Sequence, residues 1–187
     1  MKTLKKLEDP EIISGCLKND RNAQRYLFDT FYRRTYHVAM RYLANHHDSE
    51  DVLSVSYTRI YKNMDRFEYR GEGSLAKWIN TIVIHEAIRF LKRKKAIIFQ
   101  EDDELLVKNI PTGEPNGTID LEEIRQLLDH MPKGYRTVFN LFAIEGYSHK
   151  EIAGILQINE NTSRSQLNKA RNYIIQKLKK KYSHAVQ

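Results

Sequence analysis

Four polar side chains near the C-terminus recur at helical spacing and could bind nucleic acid. Asn161, Arg164, Ser165 and Asn168 are offset by three, four and seven residues, so a helix would project them from one face. Asparagine, arginine and serine hydrogen-bond to base edges and phosphates in the major groove of DNA. From Asn161 onward there are also seven Lys or Arg residues and no Asp or Glu. The pattern predicts a helix that reads duplex DNA.

The segment before this helix has the pattern of the first half of a helix-turn-helix. Ser148 and Glu151 form a capping box, in which each side chain bonds to the other residue's backbone N–H. The turn 157–159 is expected to bury Ile158 between two helices. An ordinary helical hairpin with a solvated basic face is the alternative. The short first helix, the apolar turn residue and the one-sided charge favour DNA binding. The predicted contacts on the second helix are Asn161, Thr162, Arg164, Ser165, Asn168, Lys169 and Arg171.

A loop in the first half of the chain has the composition of a site for unpaired bases. The segment 66–73 contains Arg66, Tyr69 and Arg70, and Trp78 follows it closely. Aromatic faces stack on unpaired bases, while cationic side chains follow the backbone. A core position is the alternative for Trp78 and for the neighbouring Phe67. The next helix ends in the cations Arg89, Lys92, Arg93, Lys94 and Lys95, for which a solvated helix end is the alternative.

The remaining residues with chemical potential lack the spacing of an active site. His46 and His47 are adjacent on a predicted turn and have no His-x-x-x-His or Glu-x-x-His pattern. No nucleophile accompanies His85 and Glu86. The segment 71–73 lacks the third glycine of a phosphate-binding loop. We therefore expect no catalytic residue, no metal, no cofactor and no enzymatic activity.

Composition favours a polyanionic partner and a cytoplasmic location. The 187 residues carry a formal net charge of +7 and are 41% hydrophobic, so a packed core and a basic surface are both expected. Cys16 is the single cysteine, which excludes an internal disulfide. No stretch approaches the roughly 18 apolar residues of a membrane span, and the first nine residues do not have the pattern of a signal peptide.

Helical periodicity runs through most of the chain, and no convincing alternating strand pattern is found. A helix is expected over 22–45. Asp48 or Ser49 is expected to cap the helix that follows it, and Ser74 is expected to cap the helix after that. The segment 96–120 is acidic, rich in proline and glycine, and not periodic, as is typical of a linker. We predict an all-α protein of two small helical bundles, residues 1–95 and 121–187, joined by a flexible acidic linker over 96–120. The second bundle contains the helix-turn-helix.

The order of several short motifs resembles a known family. In chain order they are Asp48-Ser49-Glu50-Asp51-Val52, Asp65-Arg66-Phe67, Ser74-Leu75-Ala76-Lys77-Trp78-Ile79, Arg89-Phe90-Leu91-Lys92-Arg93, Met131-Pro132-Lys133-Gly134-Tyr135-Arg136 and 145–153. This series resembles the bacterial sigma factors of the extracytoplasmic function type (group IV) of the sigma-70 family, over about residues 20 to 180.

The resemblance implies a transcription initiation factor whose partners are core RNA polymerase, promoter DNA and an anti-sigma factor. The first domain would bind the polymerase clamp and melt the −10 element, and the second would bind the polymerase flap and read the −35 element. The implied polymerase contacts are Asp48, Glu50, Asp51, Leu53 and Ser54. The implied −10 contacts are Arg66, Tyr69, Arg70, Trp78, His85, Arg89, Lys92 and Arg93.

The chain departs from the family pattern at three places. Ser54 and Val55 stand where the family usually has Gln-Glu, His85 stands where Asn is usual, and Asn161 replaces a common glycine. Asn161 is expected to cap the recognition helix.

Two other functions remain open from the sequence. A stand-alone helix-turn-helix regulator with a helical N-terminal domain predicts tight duplex binding without a partner, as a dimer on a two-fold site. An RNA-binding or structural adaptor predicts no promoter-dependent activity.

Overall fold

The computed structural model describes residues 7–94, residue 97 and residues 126–183. Across these residues the chain is helical and contains no strand. It divides into two compact units, Met1–Phe90 and Leu91–Gln187. The predicted all-α fold is confirmed. The predicted linker lies almost entirely outside the described residues, so its limits stay a prediction.

In its described residues the first unit has four α-helices joined by short connections, and the last of them continues three residues past Phe90. They are α1 (Asp9–Leu17), α2 (Arg21–Leu43), α3 (His46–Lys62) and α4 (Ser74–Arg93), with a 3-10 turn at Met64–Arg66 before the loop that leads into α4. Each helix turns an apolar stripe inward, as the periodicity predicts. The core residues that are 2% exposed or less include Ile12, Leu27, Tyr42, Leu53, Ile60, Met64, Leu75, Ile79 and Ile84.

The second unit contains a helix-turn-helix preceded by an irregular helix. Residues 126–129 are helical. They are followed by α5 (Lys133–Phe139), a π-helical turn (Asn140–Ile144), α6 (His149–Leu156) and α7 (Glu160–Ser183).

Local signals fix the start and end of α6. The Ser148 hydroxyl accepts from the Glu151 backbone N–H at 3.3 Å, and the Glu151 carboxylate accepts from the Ser148 N–H at 2.8 Å. This capping box confirms the prediction. Gly146 ends the preceding helical segment with a φ of +78°, a conformation that glycine adopts without strain. Gln157 ends α6 in the left-handed conformation, and Ile158 is half-buried in the turn.

Three predicted caps are wrong. The cap of α3 is Asn45, whose side chain accepts from the Asp48 N–H at 2.9 Å, so both Asp48 and Ser49 lie inside the helix. Ser74 is the first residue of α4, and its hydroxyl donates to the Gly71 carbonyl at 2.6 Å to close the loop.

The cap of α7 also differs from the prediction. Asn159, not Asn161, accepts from the Thr162 N–H, at 2.6 Å. Asn161 is exposed in the first turn of the helix, so its side chain lies at the surface with the other polar residues of α7.

Candidate nucleic-acid interface

The exposed side of α7 carries most of the predicted base-reading residues. Asn161 and Arg164 are exposed, and Ser165 and Asn168 are half-buried beside them. The Arg164 guanidinium lies 2.5 Å from the Glu160 carboxylate one turn earlier. This contact orients the arginine while most of its side chain stays accessible. Charge-assisted contacts of this kind restrict a long side chain without removing its remaining donors.

Thr162 lies inside the structure and not on this face. It is 7% exposed, and both its backbone N–H and its hydroxyl donate to the Asn159 side chain, at 2.6 and 2.9 Å. Its side chain therefore fixes the start of α7. The predicted surface contacts on this helix are the other six.

A cluster that the sequence did not reveal holds α6 against α7. The rings of Phe142 and His149 stack with centroids 4.6 Å apart, and His149 Nδ1 lies 2.9 Å from the Ser163 hydroxyl. The Arg171 guanidinium lies 5.9 Å from the centre of the Phe142 ring, within the range of a cation–π contact. The cluster thereby positions Arg171, one of the predicted DNA contacts.

Two of the three charged residues that affect the pKa of His149 are cationic. Burial first, and then the charge of Arg164, lower the pKa of His149, with Arg171 adding to the effect and Glu160 opposing it. A neutral imidazole is therefore expected at neutral pH. Lys169 is half-buried and Arg171 is exposed, so α7 offers several cations at its surface, as a DNA backbone requires.

The loop before α4 in the first unit has a half-buried aromatic pair at its base and an exposed aromatic residue, Tyr69. Phe67 and Trp78 are both half-buried, with ring centroids 5.0 Å apart. Tyr69 is 46% exposed. Gly71 and Gly73 have φ values of +102° and +79°, so the turn needs glycine at both positions. The loop thus presents Tyr69 to solvent. Trp78 contacts Phe67 and supports the loop.

Two arginines flank Tyr69 in the sequence of this loop. Arg66 is exposed, and Arg70 is exposed and lies 2.9 Å from the Glu68 carboxylate. Exposed aromatic and cationic side chains in one loop are the residue types that ssDNA-binding surfaces use to stack bases and to follow the backbone.

The predicted −10 residues of α4 differ in exposure. His85 is half-buried, Arg89 and Arg93 are exposed, and Lys92 is half-buried. Burial first, and then the neighbouring Arg89, lower the pKa of His85, with Glu86 opposing the effect. At neutral pH its imidazole is therefore expected to be neutral and to offer one donor and one acceptor. That chemistry suits a base edge better than a phosphate.

The predicted polymerase contacts form an acidic surface on α3, with one exception. Glu50, Asp51 and Ser54 are exposed, and Asp48 is half-buried. Leu53 is 2% exposed and belongs to the core, so it supports this surface from beneath. The neighbouring Val55 is 43% exposed, so an apolar side chain lies at the surface at one of the positions that depart from the family pattern.

Neither a metal-ion cluster nor a membrane-spanning helix is found in the parts of the chain that the structure describes. Over residues 7–94, 97 and 126–183, no group of three or more His, Cys, Asp or Glu residues could hold a metal ion. None of the helices described there is long and apolar enough to cross a membrane.

The chain is similar to known proteins over both units. The sequence profile of sigma-70 region 2 matches residues 27–97, and that of sigma-70 region 4 matches residues 121–174. The sigma-E factor of Salmonella typhimurium, an extracytoplasmic function (ECF) sigma factor, is 25% identical over 184 residues. The match covers 92% of this chain and 95% of that protein. SigE of Mycolicibacterium smegmatis, also an ECF sigma factor, is 25% identical over 160 residues, which are 82% of this chain and 61% of that protein.

A solved structure shows a similar fold. It is the complex of the sigma factor RpoE with the anti-sigma factor NepR from Bartonella quintana. The matching chain has a TM-score of 0.51 and 21% identity, and the match covers 83% of this chain and 96% of that one.

Proposed function

Because this chain belongs to the sigma-70 family, as a sigma factor of the extracytoplasmic function type, we propose that it binds core RNA polymerase and directs promoter-specific initiation. The resemblance found in its sequence motifs is confirmed by the two family profiles, which match separate segments of the chain. Members of this family are initiation factors and not enzymes.

The observation that best supports this proposal is the polar side of α7 within an intact helix-turn-helix. Arg164, Ser165 and Asn168 are proposed to read base edges of the −35 element, since all three are accessible on one helix. Lys169 and Arg171 are proposed to contact phosphates, which position the helix without specifying sequence.

The first unit is proposed to engage the −10 element after its strands separate. Tyr69 is the exposed aromatic residue of the loop, and Arg66 and Arg70 flank it. We assign stacking on an unpaired base to Tyr69, and base contacts to His85 on α4. Arg89, Lys92 and Arg93 are assigned to the strand backbone.

The acidic side of α3 is proposed to bind the clamp of the polymerase. Glu50, Asp51 and Ser54 are exposed there, and Asp48 is half-buried. An anti-sigma factor is proposed as a second partner because RpoE of Bartonella quintana, which has a similar fold, was solved in complex with one. The cytoplasm, where polymerase and promoters are found, is the proposed location.

Run-off transcription tests the function together with the role of Tyr69. With purified core polymerase, promoter-directed transcripts are expected only when this chain is added. Tyr69→Ala is expected to lose most transcription from duplex promoters and to regain it on a template whose −10 strands are already unpaired. The reason is that the missing ring would have stabilised the separated strand, by about 1–3 kcal/mol per stacked base.

Tyr69→Phe is the matched control, since it keeps the ring and removes only the hydroxyl. Full melting by Tyr69→Ala in permanganate footprints would remove the stacking role. A lack of promoter-directed transcripts with the wild-type chain would contradict the function itself.

A further inference from the structure

Glu86 occupies a core position of α4 although its side chain is charged. It lies three residues after Val83 and next to Ala87, both fully buried, and its own side chain is 7% exposed. A leucine would continue this apolar stripe without the cost of removing a carboxylate from water. Apolar residues often replace buried ion pairs with no loss of stability. Packing therefore gives no reason for a carboxylate at this position.

The buried carboxylate connects two arginines from different helices through a single oxygen. Arg59 of α3 places Nη1 2.9 Å from Glu86 Oε1, and Arg89 of α4 donates through its own Nη1 to the same oxygen. The two arginine side chains are 46% and 53% exposed. The anchor is thus buried, while both cationic groups reach the surface.

The charge of this trio does not balance. Two guanidinium groups and one carboxylate leave one net positive charge, held in place at the surface. Each guanidinium has five N–H donors in a planar fork. Both arginines bind Glu86 through Nη1. A phosphodiester carries the single negative charge that would complete the set, and guanidinium pairs bind it with directed hydrogen bonds.

On the basis of the proposed function, we propose that Glu86 is a positioning residue that holds Arg59 and Arg89 as a paired site for one backbone phosphate of the promoter strand bound by α4. Arg59 lies on α3, outside the loop and the helix that the sequence assigns to DNA. The pair would bind the strand backbone beside His85, one residue before Glu86 on α4. Because the arginines are held before DNA arrives, little side-chain freedom is lost on binding.

The first test measures the affinity of core polymerase plus this chain for a fork-junction promoter probe with a single-stranded −10 segment, across a salt series. Arg59→Ala is expected to weaken binding and to reduce the slope of log K against log salt by about 0.7 to 0.9, as expected for one lost phosphate contact. Arg25→Ala is the matched control and is expected to leave the slope unchanged. That arginine also lies near a carboxylate, 3.7 Å from Asp29, but it is on α2 and is 84% exposed.

A scan of the probe with neutral methylphosphonate linkages locates the contact. At one position the neutral linkage should weaken wild-type binding and abolish the difference between wild type and Arg59→Ala. If the role of Arg59 is purely structural, the difference in affinity between wild type and Arg59→Ala should be the same at every position of the neutral linkage.

Glu86→Gln separates positioning from simple charge. The substitution removes a negative charge near DNA, so charge alone predicts tighter binding. Positioning predicts weaker binding and loss of the methylphosphonate effect. Glu86→Leu, which suits the apolar stripe, provides the same test if the glutamine variant does not fold, and thermal melting of both variants checks folding.

The outcomes distinguish this proposal from the function on which it rests. A salt slope unchanged by Arg59→Ala, a scan without such a position, or tighter binding by Glu86→Gln would overturn the paired site alone. If the wild-type chain forms no specific complex with core polymerase and the probe, the proposed function fails as well.

Discussion

Replacing Arg136 by alanine is expected to destabilise the second helical unit by about 3 kcal/mol, the scale of a buried, charged hydrogen-bonding group. Arg136 is 2% exposed. Its Nη1 donates to the carbonyls of Leu128 and Asp129, at 3.3 and 2.8 Å. These carbonyls end the helical segment 126–129, where helix geometry leaves acceptors without intrahelical donors.

Because Arg136 is charged, its contacts with the two carbonyls are sensitive to substitution. Burial lowers its pKa, with Asp129 opposing the effect, yet a guanidinium remains protonated at neutral pH. Its removal takes a donor from both carbonyls, although that of Leu128 keeps the Met131 N–H at 3.1 Å, and leaves a cavity where the side chain was. Both effects act on the same unit, so the loss is expected to be local.

Hydrogen exchange of the full chain, followed by mass spectrometry, measures this effect. Amides of α5, α6 and α7 in Arg136→Ala are expected to exchange roughly 100-fold faster, as a loss of about 3 kcal/mol implies for local opening. Peptides of α1–α4 serve as the internal control and should not change. Unchanged protection in α5–α7 would show that Arg136 does not hold the unit together.

Replacing Arg164 by alanine is expected to have the largest effect on promoter choice. A guanidinium that binds a guanine through two hydrogen bonds contributes about 1–3 kcal/mol of discrimination. Arg164 is exposed and is oriented by Glu160 at 2.5 Å. We therefore expect about a 5- to 150-fold loss of affinity of polymerase plus this chain for the cognate −35 element.

The measurement compares cognate and scrambled −35 sequences in otherwise identical promoters. Arg164→Ala should lose affinity for the cognate sequence and little for the scrambled one. Arg171→Ala is the matched control, since a phosphate contact should weaken both sequences alike and lower the salt slope. Equal loss on the two sequences with Arg164→Ala would show that this residue touches only phosphate.

Apolar periodicity was sufficient to predict the helices, and together with one capping box it predicted the helix-turn-helix. The capping box at Ser148 and Glu151 involves residues three apart, so the chemistry needed to recognise it is contained in the sequence. The cap of α3 was not recognised because Asn45, Asp48 and Ser49 are all capable residues within five positions. Burial decides among them, since Ser49 is 0% exposed and donates to the Asn45 carbonyl.

The candidate sites were less predictable where contacts join different helices. Glu86 meets Arg59 across 27 positions of sequence, and the stacking of Phe142 on His149 depends on a π-helical turn that periodicity does not reveal. Leu53 was predicted as a polymerase contact and Thr162 as a DNA contact because of their positions in motifs. Their burial follows from helix phase and packing.

This chain is proposed to recognise promoters as part of a polymerase complex. The residues proposed to read the −35 element lie on one small helix-turn-helix. A single module of this kind buries limited area on DNA. The −10 surface is proposed to bind separated strands, and unpairing costs a few kcal/mol per extruded base. Recognition by the chain alone is therefore expected to be weak and strongly dependent on salt.

The most direct measurement is a gel shift on one promoter with the chain alone, with core polymerase alone and with both together. We expect a sequence-specific, heparin-resistant complex only when both are present, and weak, salt-sensitive binding by the chain alone. Tight, specific binding of duplex DNA by the chain alone would contradict the sigma-factor account and favour a stand-alone helix-turn-helix regulator.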